Sequence, residues 1–406
     1  MRILYCVQRY GTQIAGGAEA ACRSVAEHMV RRGHQVEVVT TCALSYNDWA
    51  DHFEPGTTTE NGVVIHRLRV LHPRSAELFV PLHRRVTEGA PVAPAVQQDW
   101  LRTLGPEVPE LDDWFDRRGA DFDVVIFFTY LYATSGLGLR AASLRAPTVL
   151  HPTAHDEPAF WLEVYRPMLD AADAFACLTA EEMDLVRTRH IPVRDDELVG
   201  LGVDASIVGD GDRFRREFGL GDDPFVVYLG RIDPGKGPDE LYRFMVTLID
   251  QGRTDAKLVV VGEPVVSLPD HPGVVFTGFV DEQTKYDALA AATVFAQPSY
   301  FESFSLSLCE AWAQRRPALV QARCDVLRGQ AARSGGGLAY TGLAEFDAAL
   351  ARLLSDPALR DQLGAAGRRY VVENYDWPAV LQRYEQLLER VVAERSAARP
   401  EARSVV

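Results

Sequence analysis

Short apolar, β-branched runs alternate with stretches of helical periodicity along almost the whole chain. This alternation restricts the possible folds more than any other feature. The first run is Ile3–Val7, followed by a turn with Gly16 and Gly17. Cys22, Val25, Ala26, Met29 and Val30 then fall at i, i+3, i+4, i+7 and i+8, which predicts a helix with one buried stripe. Gly33 ends that pattern, and further strands are predicted at Val36–Thr41 and Val63–Leu68. Strand, helix, strand in this order implies parallel pairing through a right-handed crossover. Strands recur at Val124–Phe128, Thr148–Leu150 and Ala174–Leu178. A second series runs from Phe225 through Leu258–Val261, Val274–Phe276, Thr293–Gln297 and Ala318–Val320, with helical patterns at 238–251, 282–292 and 304–315. The expected class is α/β, with two Rossmann-like, doubly wound domains facing a central cleft.

The domain boundary is placed in the Gly- and Asp-rich stretch between Gly202 and Pro224, giving domains at 1–205 and 206–375. Proline-rich residues 71–120 fit the alternation poorly and read as a partly helical insertion. Residues 376–395 read as a C-terminal helix packing toward the first domain, and 396–406 as a frayed tail.

Composition removes several function classes. The chain has 406 residues and a net charge of −15, with no basic block, which argues against a protein that binds nucleic acid by neutralising phosphates. No run approaches the roughly 20 apolar residues of a membrane span. The start of the chain does not read as a signal peptide. The charge balance and the lack of a basic amphipathic helix leave at most weak peripheral membrane contact. Six cysteines without a CxxC pair predict neither a zinc site nor a disulfide framework, and the expected location is cytoplasmic.

Four stretches carry candidate chemistry. GRIDPGKG at 230–237 follows a buried strand and precedes a helix. Its glycines let the backbone bend closely, and Arg231 and Lys236 put two cations beside a helix N-terminus, a cradle for phosphate without P-loop order. Lys236 gains weight because the chain has just three lysines, the others being Lys257 and Lys285. QPSYFESFSLSLCEAW at 297–312 places Glu302 just before a helix starting near Phe304 and Glu310 two turns into it. Such carboxylates suit a site that orients hydroxyls beside a phosphate, and equally suit a capping charge and a solvated helix residue. GGAE at 16–19 puts two glycines at a helix N-terminus of the first domain. HPTAHDE at 151–157 offers His155 and Asp156 on a loop; Pro152 and the preceding strand argue against the helix that His151 and His155 would need to share a metal.

Taken in order, GGAE, TAHDEP, GLGVD, GRIDPGKG, VVVGEP, the 276–312 segment and RCDVLRGQAARSGGGLAY make the chain resemble the family 4 glycosyltransferases, retaining nucleotide-sugar-dependent enzymes of GT-B fold. The resemblance covers nearly the whole chain, and the glutamate pair with the preceding RxxxxK loop is its most specific mark. It implies an acceptor-side first domain, with residues 71–120 on the substrate side, and a donor-binding second domain. Arg231 and Lys236 would hold the donor diphosphate, Glu302 the sugar hydroxyls and Glu310 the ribose hydroxyls. The loop Ser303, Phe304, Ser305 and Leu306 would touch the diphosphate or sugar through backbone N–H groups. Gly16 and Gly17 would approach the distal phosphate or acceptor side. His155 would lie near the reacting carbon, with Asp156 on the acceptor side. The family's EGFGL reads ESFSL here, so serines narrow that loop.

The implied activity transfers a hexose-type sugar from a nucleoside-diphosphate sugar, UDP or GDP, to an acceptor hydroxyl with an α-linkage. It needs no cofactor and no metal, because two cations and helix N-termini stabilise the leaving charge. The paired aspartates at 112–113, 195–196 and 222–223 lie in polar stretches and do not read as a metal clamp. The acceptor stays open among saccharide, lipid-linked glycan and small metabolite. The alternatives are a nucleotide-sugar epimerase of the same fold and a non-catalytic sugar-nucleotide-binding partner. A dinucleotide-dependent oxidoreductase is disfavoured because no GxGxxG is present.

Overall fold

The computed structural model describes residues 1–14, 16–189, 195–266 and 268–398. The chain forms two units, one of residues up to Gly200 together with those from Leu381 onward, the other Leu201–Val380. Part of the expected tail, residues 399–406, lies outside the described residues.

The first unit holds strands β1 (Arg2–Cys6), β2 (Gln35–Thr41), β3 (Gly56–Glu60), β4 (Val63–Leu68), β5 (Val124–Phe128), β6 (Thr148–His151), β7 (Ala174–Cys177) and β8 (Asp195–Leu198). Its helices are α1 (Gly17–Arg31), α2 (Ala76–Thr87), α3 (Pro94–Leu104), α4 (Leu111–Arg118), α5 (Ala133–Ser143), α6 (Arg166–Ala171) and α7 (Ala180–Arg189). The strands form one sheet in the order β3-β4-β2-β1-β5-β6-β7-β8. All neighbours are parallel except the β3/β4 hairpin. Every residue of β5 is buried, as expected of a parallel strand covered on both faces. The α1 stripe is buried at Cys22, Val25, Ala26 and Met29, as its spacing predicts.

Residues 71–120 make the crossover from β4 to β5 as helices α2 to α4. Trp100, Leu101, Trp114 and Phe115 from α3 and α4 lie in the same core cluster as Leu4, Val125 and Phe127 of the sheet. The aromatic residues of this stretch are therefore structural. The segment after the 151–157 loop forms two 3-10 turns, 158–161 and 163–165, and the short α6.

The second unit holds β9 (Phe225–Leu229), β10 (Lys257–Val261), β11 (Val274–Gly278), β12 (Val294–Gln297), β13 (Ala318–Gln321) and β14 (Gly337–Tyr340). Its helices are α8 (Gly211–Glu217), α9 (Pro238–Asp250), α10 (Glu282–Ala291), α11 (Leu306–Ala313), α12 (Asp325–Ser334), α13 (Leu343–Ser355) and α14 (Pro357–Asn374). Helix α15 (Trp377–Ala398) starts in this unit and continues, from Leu381, as part of the first. The sheet is wholly parallel in the order β11-β10-β9-β12-β13-β14. Successive strands run outward from β9 on one side, and β12 returns to its other side. The order reverses between β9 and β12, and ligands of open α/β sheets sit beyond the carboxyl ends of the strands at such a reversal. In the first unit the reversal lies between β1 and β5.

Candidate functional site

The loops that follow β9 and β12 are the two singled out by sequence, 230–237 and 298–305, so the topology brings them to one crevice of the second unit. The first loop is shaped locally. The Asp233 carboxylate accepts from Gly235 N at 3.0 Å, and Asp233 O accepts from Lys236 N at 2.8 Å, which closes a 3-10 turn. Gly237 then adopts φ +70°, and a Cβ there would stand 2.6 Å from the carbonyl oxygen of Pro298 in the second loop. Glycine is required at that contact. Gly235 has no such constraint, contrary to the expectation that all three glycines shape the bend.

Lys236 and Glu302 meet directly. Lys236 Nζ donates to Glu302 Oε1 at 2.8 Å, and the glutamate side chain is 9% exposed. Gln297 Nε2 donates to the same oxygen at 3.2 Å and to Ser305 Oγ at 2.8 Å. Gln297 Oε1 is buried without a hydrogen-bond partner among the described residues. Arg231 is exposed at the mouth of the loop, and its carbonyl accepts from Tyr228 Oη at 2.7 Å. The second loop is pinned from below. Tyr300 Oη donates to Glu240 Oε2 at 2.9 Å, and the buried Phe304 ring packs edge-on against Tyr375. Phe304 O accepts from the Gln330 amide.

Helix α11 begins at Leu306, two residues later than its periodicity suggests, because Ser305 sits at φ +71° and ψ +79°. Its Oγ turns to Gln297 and makes no cap bond. Among the described residues α11 has no side-chain cap, like α9, α12 and α13 of the same unit and unlike α8, α10 and α14, which each carry an aspartate cap. A short neutral helix entry with free N–H groups, one lysine and one arginine loop beside it favours an anion.

Glu310 lies just over one turn into α11, not two. It is not a solvated helix residue: its side chain is 14% exposed and accepts from Lys285 Nζ on α10 at 2.6 Å. Burial pushes its carboxyl upward, and Lys285 pulls the other way. Two of the three lysines in the chain are thus paired with the two glutamates of this loop.

Gly16, Gly17, His155 and Asp156 belong to the first unit. Gly16 is extended, and a Cβ there would overlap the Glu19 carboxylate, which is held by Arg9 in a buried ion pair at 2.6 Å. Around Gly17 nothing among the described residues lies within 4 Å of a Cβ. His151 ends β6, is 1% exposed and stacks on Phe128 at 4.2 Å. His155 lies on the loop beyond, with Nδ1 3.7 Å from Glu157 Oε1, which also accepts from Tyr130 Oη at 2.8 Å. Asp156 is exposed and accepts from Trp161 Nε1. The loop is anchored by the buried Glu182, whose carboxylate accepts from Ala154 N and Leu178 N, each at 2.6 Å. Gln297, Glu240 and Glu182 were not legible as site-shaping residues. Lys285 could have been found from the rarity of lysine.

Two family models together span most of the chain. The model for a "Glycosyl transferase 4-like domain" matches residues 16–202, and that for "Glycosyl transferases group 1" matches 210–370. The chain belongs to the family 4 glycosyltransferases. An uncharacterized glycosyltransferase of Methanocaldococcus jannaschii is 23% identical over 93% of this chain and 95% of its own. A D-inositol 3-phosphate glycosyltransferase of Kribbella flavida is 29% identical over 59% of this chain and 62% of its own. Among solved structures, sucrose-phosphate synthase from Thermosynechococcus elongatus matches with TM-score 0.72 at 18% identity, over 97% of this chain and 100% of that one. Anabaena HepE, solved in complex with UDP and glucose, matches with TM-score 0.70 at 15% identity, over 96% of this chain and 99% of that one. These neighbours establish the GT-B fold of this glycosyltransferase. Among the described residues, no helix of this family member is long and apolar enough to cross a membrane.

Proposed function

We propose that this glycosyltransferase moves a hexose-type sugar from a UDP- or GDP-sugar to an acceptor hydroxyl, with retention and therefore an α-linkage. The observation that carries the reading is the pairing of Lys236 with Glu302 and of Lys285 with Glu310 around the uncapped start of α11. Two carboxylates suited to hydroxyl groups flank a cationic turn suited to a diphosphate. In this reading Glu302 takes sugar hydroxyls and Glu310 the ribose. Arg231, Lys236 and the backbone N–H groups of Ser303, Phe304, Ser305 and Leu306 take the diphosphate and the groups beside it. His155 lies near the reacting carbon, Gly16 and Gly17 at the start of α1 approach the distal phosphate or the acceptor side, and Asp156 serves the acceptor side. The UDP in the HepE complex supports a nucleotide donor.

The chemistry breaks the bond between the anomeric carbon and the diphosphate oxygen, and the electron pair leaves with the diphosphate. Arg231, Lys236 and the α11 N-terminus stabilise that growing charge. The acceptor oxygen bonds to the anomeric carbon on the face the diphosphate leaves, and its proton passes to the departing phosphate oxygen. No side-chain nucleophile and no metal is needed for this balance. The acceptor is a saccharide, a lipid-linked glycan or a small metabolite, with inositol phosphate worth assaying in view of the relatives' name. The site of action is cytoplasmic, with at most weak peripheral membrane contact.

The test is turnover of UDP- and GDP-sugars against an acceptor panel, with the anomeric configuration of the product read by NMR, with and without EDTA. An α-product formed at full rate in chelator is expected. A β-product overturns retention. Loss of activity in EDTA, restored by Mg²⁺ or Mn²⁺, overturns the leaving-group chemistry.

A further inference from the structure

Four arginines converge at the opposite end of the second unit's sheet. Arg215, Arg315, Arg316 and Arg360 line one small polar cavity of about 180 Å³, beside Thr293 and Pro317, the residues that precede β12 and β13. The 298–305 loop follows the other end of β12, so roughly 13 Å of that strand separates the two places. Arg315 and Arg316 also line an adjoining cavity of about 650 Å³, with Gly209, Asp210, Gln314 and Arg368.

The charge balance of this place is unusual for the chain. None of the four guanidinium groups has a carboxylate within ion-pair distance among the described residues, in a protein of net charge −15. Three of them spend their donors on backbone carbonyls. Arg215 serves Gly221, Asp223 and Ala291; Arg316 serves Gln314 and Ala292; Arg360 serves Leu353 and Leu354. These bonds fix the guanidinium groups in place and leave their charge uncompensated. The fourth, Arg315, is exposed and its side chain makes no hydrogen bond or ion pair among the described residues. It occupies φ +59°, just past the end of α11, where glycine is the ordinary choice. Burial lowers the pKa of Arg316; Asp361 on the rim opposes this, and the charges of Arg215 and Arg360 add to it. In the smaller cavity one carboxylate, Asp361, stands against the four arginines, and the adjoining cavity adds Asp210, Asp212 and Arg368.

We infer that this arginine-lined cavity is a second binding site, for a small phosphate monoester whose phosphate is held by the four guanidinium groups and whose body enters the adjoining cavity. Several fixed, planar donors around one small polar space match a tetrahedral dianion better than a single carboxylate. The site is separate from the one that binds the donor in the reading above and does not depend on it.

The test is calorimetric titration with inorganic phosphate and with glycerol 1-phosphate, in the Arg231→Ala/Lys236→Ala background, which removes both cations of the donor loop. One binding event is expected, with glycerol 1-phosphate at least as tight as phosphate. Arg315→Gly suits the left-handed backbone and should leave the unliganded melting temperature unchanged or raised. It should weaken both ligands about 10–100-fold, the worth of one charge-assisted contact. Absence of binding in the background chain overturns the inference, and so does unchanged affinity in Arg315→Gly. Sedimentation with phosphatidylserine vesicles, lost in Arg315→Gly while neither soluble phosphate binds, would also overturn it by making the cluster a lipid contact.

Discussion

At the residue scale, the two glutamates differ in what they hold and should fail differently. Glu310 is paired with Lys285, away from the cationic turn, so Glu310→Ala should weaken binding of the bare nucleoside diphosphate about tenfold or more, through the lost ribose contacts. Glu302 ties up Lys236. Glu302→Ala frees that ammonium for the diphosphate, so nucleotide affinity should stay equal or tighten while turnover falls. Calorimetry of both variants with UDP and GDP is the check, and equal loss in the two would contradict the split. Arg231→Ala and Lys236→Ala should each lower turnover ~10–100-fold, the worth of a charge-assisted contact. Lys236→Ala carries a second cost, because it leaves the largely buried Glu302 without its cation. Its melting temperature should therefore drop more than that of Arg231→Ala, and equal melting temperatures would show that the pair contributes nothing to the fold.

At the element scale, the donor crevice depends on how the turn after β9 meets the loop after β12. Gly237 is the contact point: φ +70° and a Pro298 carbonyl 2.6 Å from any Cβ. Gly237→Ala should cost about 1–3 kcal/mol from left-handed strain and displaced backbone. It should also lower turnover by moving Lys236 away from the 298–305 loop. Denaturant unfolding and steady-state rates of this variant, set beside Gly235→Ala as the unconstrained control, check it. Similar behaviour of the two would show that the Gly237–Pro298 contact does not hold the two loops in place. The short α11 shows why helix starts resist sequence reading. Phe304, Leu308 and Trp312 are all buried at helical spacing, so periodicity runs on through Phe304. The backbone breaks at Ser305, because Gln297 holds its hydroxyl and Gln330 holds the Phe304 carbonyl.

At the scale of the whole molecule, stability should respond to pH through the buried histidine that ends β6. His151 is fully buried in the first unit, stacked on Phe128 and on Tyr384 of α15. Burial lowers its pKa to about 3. A histidine with a depressed folded pKa is protonated first in the unfolded chain, so below pH 6.5 the unfolded state binds more protons. Its contribution is full above pH 6.5 and is lost as pH falls from there toward 3, with a slope of up to about 1.4 kcal/mol per pH unit. His151→Phe keeps the stack and removes the proton. The variant's unfolding free energy should fall less steeply than the parent's between pH 6.5 and 4. Parallel curves would show that His151 is already protonated or already relieved in the folded state.

Periodicity alone settled the α/β class, the parallel crossovers and the buried α1 stripe, because a strand covered on both faces and a one-sided helix leave different spacings in the chain. The resemblance carried by 230–237 and 297–312 reached the family, since those residues are contiguous and their order survives in sequence. Strands β3, β8 and β14 were not legible: most of their residues are exposed or half-buried, and they lie at sheet edges where little apolar pattern is needed. The aromatic residues of 71–120 have no strand beside them in sequence and find the sheet only in the folded core. The same distinction governs the site. Spacing left Glu302 and Glu310 open between function and a solvated helix end. Their lysine partners stand 66 and 25 residues away along the chain. Tertiary structure brings those charges together: the strand order returns β12 to the side of β9 for Lys236 and Glu302, and α10 packs on α11 for Lys285 and Glu310.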